Sequence, residues 1–171
     1  MSRKFSEGNI IIVDKYDKQI STKKRSLIRS DDIYRVSALW IADKMGNVLL
    51  AKRASTKKND PGKWGPTVAG TIEEGETYTT NILKEAEEEL GIFDISPEQG
   101  PKIFNKGKHL HFTQWFFFTR DYYISDLKIN SEEVAEVKWF IKDELLILLK
   151  EQPAMFLDGA STWVKFINKS K

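Results

Sequence analysis

With 171 residues, 40% of them hydrophobic and 30% charged, the chain has the size and composition of one ordinary globular domain, large enough to bury a core without metal or disulfide staples. Cysteine is absent, which excludes disulfides, thiolate metal sites and cysteine nucleophiles. The net charge of +2, from 27 basic and 25 acidic residues, carries no footprint of a dedicated nucleic-acid surface.

No apolar run reaches the roughly 18 residues that span a bilayer, so no membrane partner is expected. Met1–Gly8 leads only into the short run Ile10–Val13, too brief for a signal-peptide core. The expectation is therefore one cytoplasmic domain over residues 1–171. Along the chain, the β-type runs 9–14 and 19–22 around Lys15-Tyr16-Asp17-Lys18 predict an N-terminal hairpin. A second hairpin is predicted from 34–42 and 48–52, joined by the turn-rich Asp43-Lys44-Met45-Gly46-Asn47. Residues 53–63 are polar and basic and close on Asp60-Pro61-Gly62, which predicts an exposed loop, followed by a strand over 64–69.

From Thr77 to Leu90 there is no Gly or Pro, and Gly91 supplies a helix stop. Ile82, Leu83, Ala86 and Leu90 fall at helical spacing and can face a core, leaving the glutamates on another side. The aromatic-rich run 112–119 reads as a buried strand and 134–141 as another. Helical segments are expected at 142–150 and 161–168, with Pro153 and Gly159 between them. Strands alternating with helices, several of them in hairpins, predict an α/β chain of the α+β type with a mixed sheet covered by helices.

On the predicted helix, Glu85, Glu88 and Glu89 stand three and four residues apart and project toward a common region. A run of like charges is often only a solvated acidic face. The other reading is a site for hard divalent cations, since Mg²⁺ prefers carboxylate oxygens. What separates the two is the context: Gly70, five residues, Glu76, eight residues, Glu85, then Glu88, Glu89, Gly91 and Ile92. This stretch, residues 70–92, resembles the Nudix box, departing from it at Lys84, where the family has Arg. With each residue type at about 7% of average usage, six chance matches arise about once in 10⁷ windows, so the solvated-face reading fails for this helix.

The resemblance implies a Nudix fold, a mixed sheet sandwiched between helices, with the box glutamates presented on a loop–helix–loop. It implies Mg²⁺ as the cofactor, with Mn²⁺ as a substitute, held by Glu85 and Glu89, by Glu88 as a further ligand and by the Gly70 carbonyl. The implied activity is hydrolysis of a small-molecule diphosphate, in which the cations neutralise charge and activate water. Two carboxylates are candidates for the general base, Glu85 itself and Glu133. Lys84 keeps the charge of the family Arg but not its planar fork, so the alternative is a ligand-binding Nudix module with weak catalysis. A homodimer is left open.

Over residues 33–167 the chain also resembles the Nudix branch that includes isopentenyl-diphosphate isomerase. The resemblance rests on Leu49-Leu50-Ala51-Lys52-Arg53-Ala54-Ser55, on Pro61-Gly62-Lys63-Trp64 and on Glu132-Glu133-Val134-Ala135-Glu136-Val137-Lys138-Trp139. The isomerases carry a catalytic cysteine where this chain has Ala69 and a metal-binding histidine where it has Thr71. Their catalytic glutamate strand is here Phe112-Thr113-Gln114-Trp115, without a carboxylate. Isomerisation is thus expected only by ancestry, and hydrolysis takes its place.

Of the cations before the box, Lys52, Arg53, Lys57, Lys58 and Lys63, the expected diphosphate partners are Arg53 and Lys63. Trp64 is the expected stacking residue among the aromatics. His109 and His111 lack a third ligand at metal spacing, and they are read as strand packing.

Overall fold

One long strand organises the chain. The computed structural model describes residues 8–168; the N-terminal segment 1–7, on which the signal-peptide reading rests, lies outside the described residues. β1 (Asn9–Val13) and β2 (Gln19–Lys24) form the expected N-terminal hairpin, turning at Asp17 with φ of +63°. β3 (Ile33–Ala42) and β4 (Val48–Arg53) form the second. The strand expected over 64–69 is instead two pieces, β5 (Trp64–Gly65) on β4 and β6 (Val68–Thr71) on β3. Pro66 has no N–H for a ladder, and at that residue the chain changes partner.

The glutamate-bearing helix α1 (Tyr78–Leu90) begins and ends where the residues require. Thr77 caps the N-terminus in a reciprocal box with Thr80, and Gly91 ends the helix with φ of +65°, its N–H bonding to the Glu87 carbonyl. β7 (Glu98–Lys106) was not legible in the sequence: Gly100 and Pro101 interrupt any alternation, and its register shifts between Gln99 and Lys102. β8 (Leu110–Thr119) and β9 (Val134–Phe140) follow the expected runs, as does α2 (Lys142–Glu151). The last expected helix, 161–168, is a 3-10 turn, Ala160–Trp163, running into the short α3 (Val164–Ile167).

Among the described residues the strands make one nine-stranded mixed sheet. β3 runs parallel to β8 over ten residue pairs, and on its other edge it meets β1, β6 and β4 in succession, all antiparallel. A strand in that position is buried on both faces, and residues 37–42 are all buried. Alternation then divides the core. Leu39, Ile41 and Phe116 pack with Ile82, Ala86 and Leu90 of α1, while Trp40 and Trp115 pack with Leu145, Leu149, Trp163 and Phe166 on the opposite side. This is the expected sheet between two helical layers. No helix among the described residues is long and apolar enough to cross a membrane.

Candidate active site

The ladder between β3 and β6 sets Gly70 opposite Ser37, on the face that α1 covers. α1 lies so close there that a Cβ at Gly70 would stand 2.5 Å from Cδ and 2.6 Å from Oε1 of Glu85. The glycine thus leaves the space that the Glu85 side chain fills.

Around Glu85 runs a buried polar network whose hub, Asn81, the sequence reading passed over. Asn81 is fully buried; its amide donates to Glu76 at 2.8 Å and to Glu85 and the Thr71 carbonyl at 3.3 Å, and its carbonyl accepts from Ser37 Oγ at 2.5 Å. The signal available for it was a lone polar residue on the apolar stripe of the helix, next to Ile82. Lys84 lies 2.5 Å from Glu76 Oε1 and 3.6 Å from Glu85 Oε1, so it bridges both box carboxylates. Burial by itself raises the Glu76 carboxyl, but hydrogen bonds from Lys84, the Glu73 amide and Asn81 outweigh it and hold Glu76 below the usual carboxylate range. Against the effect of burial, the hydrogen bond to Glu76 and the charges of Glu85, Glu76 and Glu73 keep Lys84 above its ordinary value.

Glu85 and Glu89 are four residues apart and lie within about 40° of one another around the helix, while Glu88 is turned about 100° from Glu89. Their surroundings follow that geometry. Glu88 is exposed. Burial pushes Glu85 up to about 6, helped by repulsion from Glu88 and Glu76. Glu89 is pushed up to about 8 by burial and by the charges of Glu85 and Glu133, with Lys57 and Arg53 opposing. The loop that brings Glu133 here is tied to the helix and to the end of β4: the Asn130 N–H bonds to the Glu89 carbonyl, and the Ala54 N–H to the Glu133 carbonyl. The Glu133 carboxylate itself is ion-paired with Lys57.

Glu89 and Glu133 open into a small cleft whose walls include Arg53, Lys52, Gly65, Ala69 and Leu157. Arg53 donates from Nε to the Asn59 carbonyl and remains on the wall of the cleft. One expectation for substrate contact is not met. Trp64 is only 5% exposed and packs edge-on against Phe140, because its pairing with Lys52 turns the indole into the core. Lys63 is engaged by Asp60 at 3.3 Å and Asp158 at 3.8 Å. Among the described residues no three His, Asp or Glu side chains stand close enough together to hold a metal ion. Glu85, Glu88 and Glu89 therefore do not form one convergent set: Glu85 is drawn onto Asn81 and Lys84, and Glu88 faces solvent. His111 stacks on Tyr34 with ring centroids 5.6 Å apart, and burial lowers its pKa, in keeping with strand packing.

The NUDIX domain model matches residues 33–158. The chain belongs to the Nudix family. Its activity is accordingly that of a pyrophosphohydrolase acting on acid anhydrides, in a family whose members generally use divalent metal ions. An uncharacterized Nudix hydrolase of Listeria monocytogenes is 32% identical over 115 residues, 67% of each chain. In fold, a protein of Deinococcus radiodurans superposes with a TM-score of 0.75 over 95% of this chain and 98% of its own, at 17% identity. The NUDIX domain of Shewanella oneidensis NrtR, solved with ADP ribose, gives 0.55 over 66% and 75%, at 20% identity.

Proposed function

We propose that this Nudix protein hydrolyses the diphosphate linkage of a nucleoside diphosphate derivative, using Mg²⁺ or in its place Mn²⁺. The observation that carries this reading is the meeting of Glu89 and Glu133 at a cleft with Arg53, with Glu85 one helical turn before Glu89. Burial and the charges of Glu85 and Glu133 raise the Glu89 carboxyl, and burial with the charges of Glu88 and Glu76 raises Glu85. Such hard oxygen donors, above a glycine whose missing side chain admits Glu85, fit a divalent cation. Glu85, Glu89 and the Gly70 carbonyl would hold it, with Glu88 drawn in from solvent. When bound, the cation supplies neutralisation of the diphosphate and acidification of the attacking water.

The remaining work falls to side chains. Arg53 offers charge-assisted hydrogen bonds to a phosphate on the cleft wall. Glu133, on the same wall, accepts a proton from the attacking water once Lys57 releases it, and Glu85 is the other carboxylate that can do so. Asn81 and Lys84 hold Glu76 and Glu85 in place, Lys84 by contact with both carboxylates. Every residue named comes from one chain, so the reading requires no second copy.

The isomerase-like branch belongs to the same proposal, with hydrolysis in place of isomerisation. A methyl side chain at Ala69 faces the cleft, and Gln114 is buried with its amide donated to the Gly100 and Trp115 carbonyls, so neither provides an acid–base partner. The test is a screen with Mg²⁺ over nucleotide sugars, dinucleoside polyphosphates, dinucleotide cofactors and isoprenoid diphosphates. A nucleoside diphosphate derivative is expected to release product above a Glu88→Gln, Glu89→Gln double variant. No turnover above that control for any compound would refute the assignment.

A further inference from the structure

The helical layer formed by α2 and α3 covers only part of its face of the sheet. Ala38 and Trp40 of β3, and Trp115 and Phe117 of β8, pack beneath it. Alternation places Tyr34 and Val36 on the same face of β3, Thr71 beyond Ala69 on β6, His111 on β8 and Asn105 beyond Ile103 on β7. All five are partly exposed. This end of the face lies on the same side of the sheet as Ala69, which lines the cleft.

Its chemistry is of mixed character. Tyr34 and His111 present a stacked pair of rings, 19° from parallel. From the turn after β2, outside the segment 33–158 that the family model matches, Arg25 brings its guanidinium to 3.4 Å from Thr71 Oγ1. Beside His111, Asn105 spends its amide N–H groups on Thr113 and the Ile103 carbonyl, while its Oδ1 lies toward the Gly159 turn. Rings for stacking and a cation beside them together suit a nucleobase with its adjoining phosphate. The register sets the distance. Ala69 pairs with Ala38, four residues along β3 from Tyr34, so the rings stand about 13 Å from the Ala69 end of the cleft at roughly 3.3 Å per residue. One nucleoside bridges such a gap.

We propose that Tyr34, His111, Thr71 and Arg25 form the nucleoside subsite of this enzyme, with the base against the two rings and Arg25 on the phosphate next to the ribose. The proposal rests on the nucleoside diphosphate reading above and names the part of the molecule that selects the nucleoside.

The chain has only two histidines, so their imidazole proton signals can be assigned with single His109→Gln and His111→Gln variants. AMP titrated into the full-length protein in EDTA is expected to move the His111 signal upfield with saturation and His109 much less, while ribose 5-phosphate leaves His111 unmoved. Arg25→Ala should weaken AMP about tenfold and leave adenosine unchanged. In turnover, Tyr34→Leu should raise KM for the nucleoside diphosphate substrate about tenfold with kcat within twofold. A His111 signal that stays fixed while AMP is bound elsewhere, or absence of AMP binding at millimolar concentration, would overturn the subsite. Because the titration needs no metal and no turnover, a failed hydrolysis screen with a positive titration sinks only the hydrolase reading. Hydrolysis of some diphosphate without AMP binding sinks only the subsite.

Discussion

Replacing Gly70 by Ala isolates one carboxylate. The added Cβ would stand 2.5 Å from Cδ and 2.6 Å from Oε1 of Glu85, where ordinary contact between carbons is about 3.5 Å. Something must move by about 1 Å. The helix backbone is poorly placed to yield, because Ile82, Ala86 and Leu90 are fully buried in the core between α1 and the sheet. The Glu85 side chain yields instead, giving up its 3.3 and 3.6 Å contacts with Asn81 and Lys84, and the rotamer cost of about 0.5–1.5 kcal/mol lowers Tm by about 1–6 °C in a chain of this size. Catalysis is less forgiving: a misplacement of about 1 Å at a reacting group costs about 10²-fold. Gly70→Ala should therefore fold, melt within a few degrees of the parent and lose about two orders of magnitude in kcat/KM for the substrate found in the screen. Phosphate release at saturating Mg²⁺, together with calorimetry, reads both quantities. Activity within twofold of the parent would refute the placement of Glu85. A fall of Tm by more than about 10 °C would show that the backbone, not the carboxylate, takes the strain.

Burial and the neighbouring Glu85 and Glu133 charges raise Glu89 to about 8, so the folded, metal-free chain keeps a proton that the unfolded chain gives up. That stabilisation is full below the ordinary carboxylate value and is lost as pH rises through about 8. Metal-free protein should thus melt lower at pH 8.5 than at pH 5.5, and Glu89→Gln should narrow the difference; scanning calorimetry in EDTA with equal pH dependence for both proteins would contradict this. Asn81→Ala strips the partners from the Ser37 hydroxyl and the Thr71 carbonyl and should cost about 1–3 kcal/mol. Denaturant melts should show Ser37→Ala and Asn81→Ala to be less than additive, and full additivity would remove the network. Lys57→Met should shift the acid limb of the kcat profile if Glu133 is the base that Lys57 restrains, and an unchanged profile would favour Glu85 in that role. Purified protein should not interconvert isopentenyl and dimethylallyl diphosphate, and Ala69→Cys should not create that activity; allylic product in the parent reaction would overturn the choice of hydrolysis over isomerisation.

Local chemistry determined much of this protein on its own. The Nudix box was legible because it is a contiguous stretch whose helix carries its own stop and start: Thr77 and Gly91 satisfy the end groups from within the segment. The two hairpins were legible for the same reason, each closed by adjacent turn residues. Even the two-layer core follows from apolar runs that alternate on a strand buried on both faces. β7 escaped because its register is set by β8, not by any alternation of its own. Trp64 was misread as a stacking residue because only its pairing with Lys52 decides which side of the sheet an indole faces. The convergence of Glu133 on Glu89, the bridging by Lys84 and the Asn81 hub are likewise tertiary facts. They join residues 44 positions apart, as with Glu89 and Glu133, or depend on how closely α1 rides over β6. A sequence records which groups are present, but the distance between two carboxylates, and so their charge state, is fixed only by the packing of the elements that carry them.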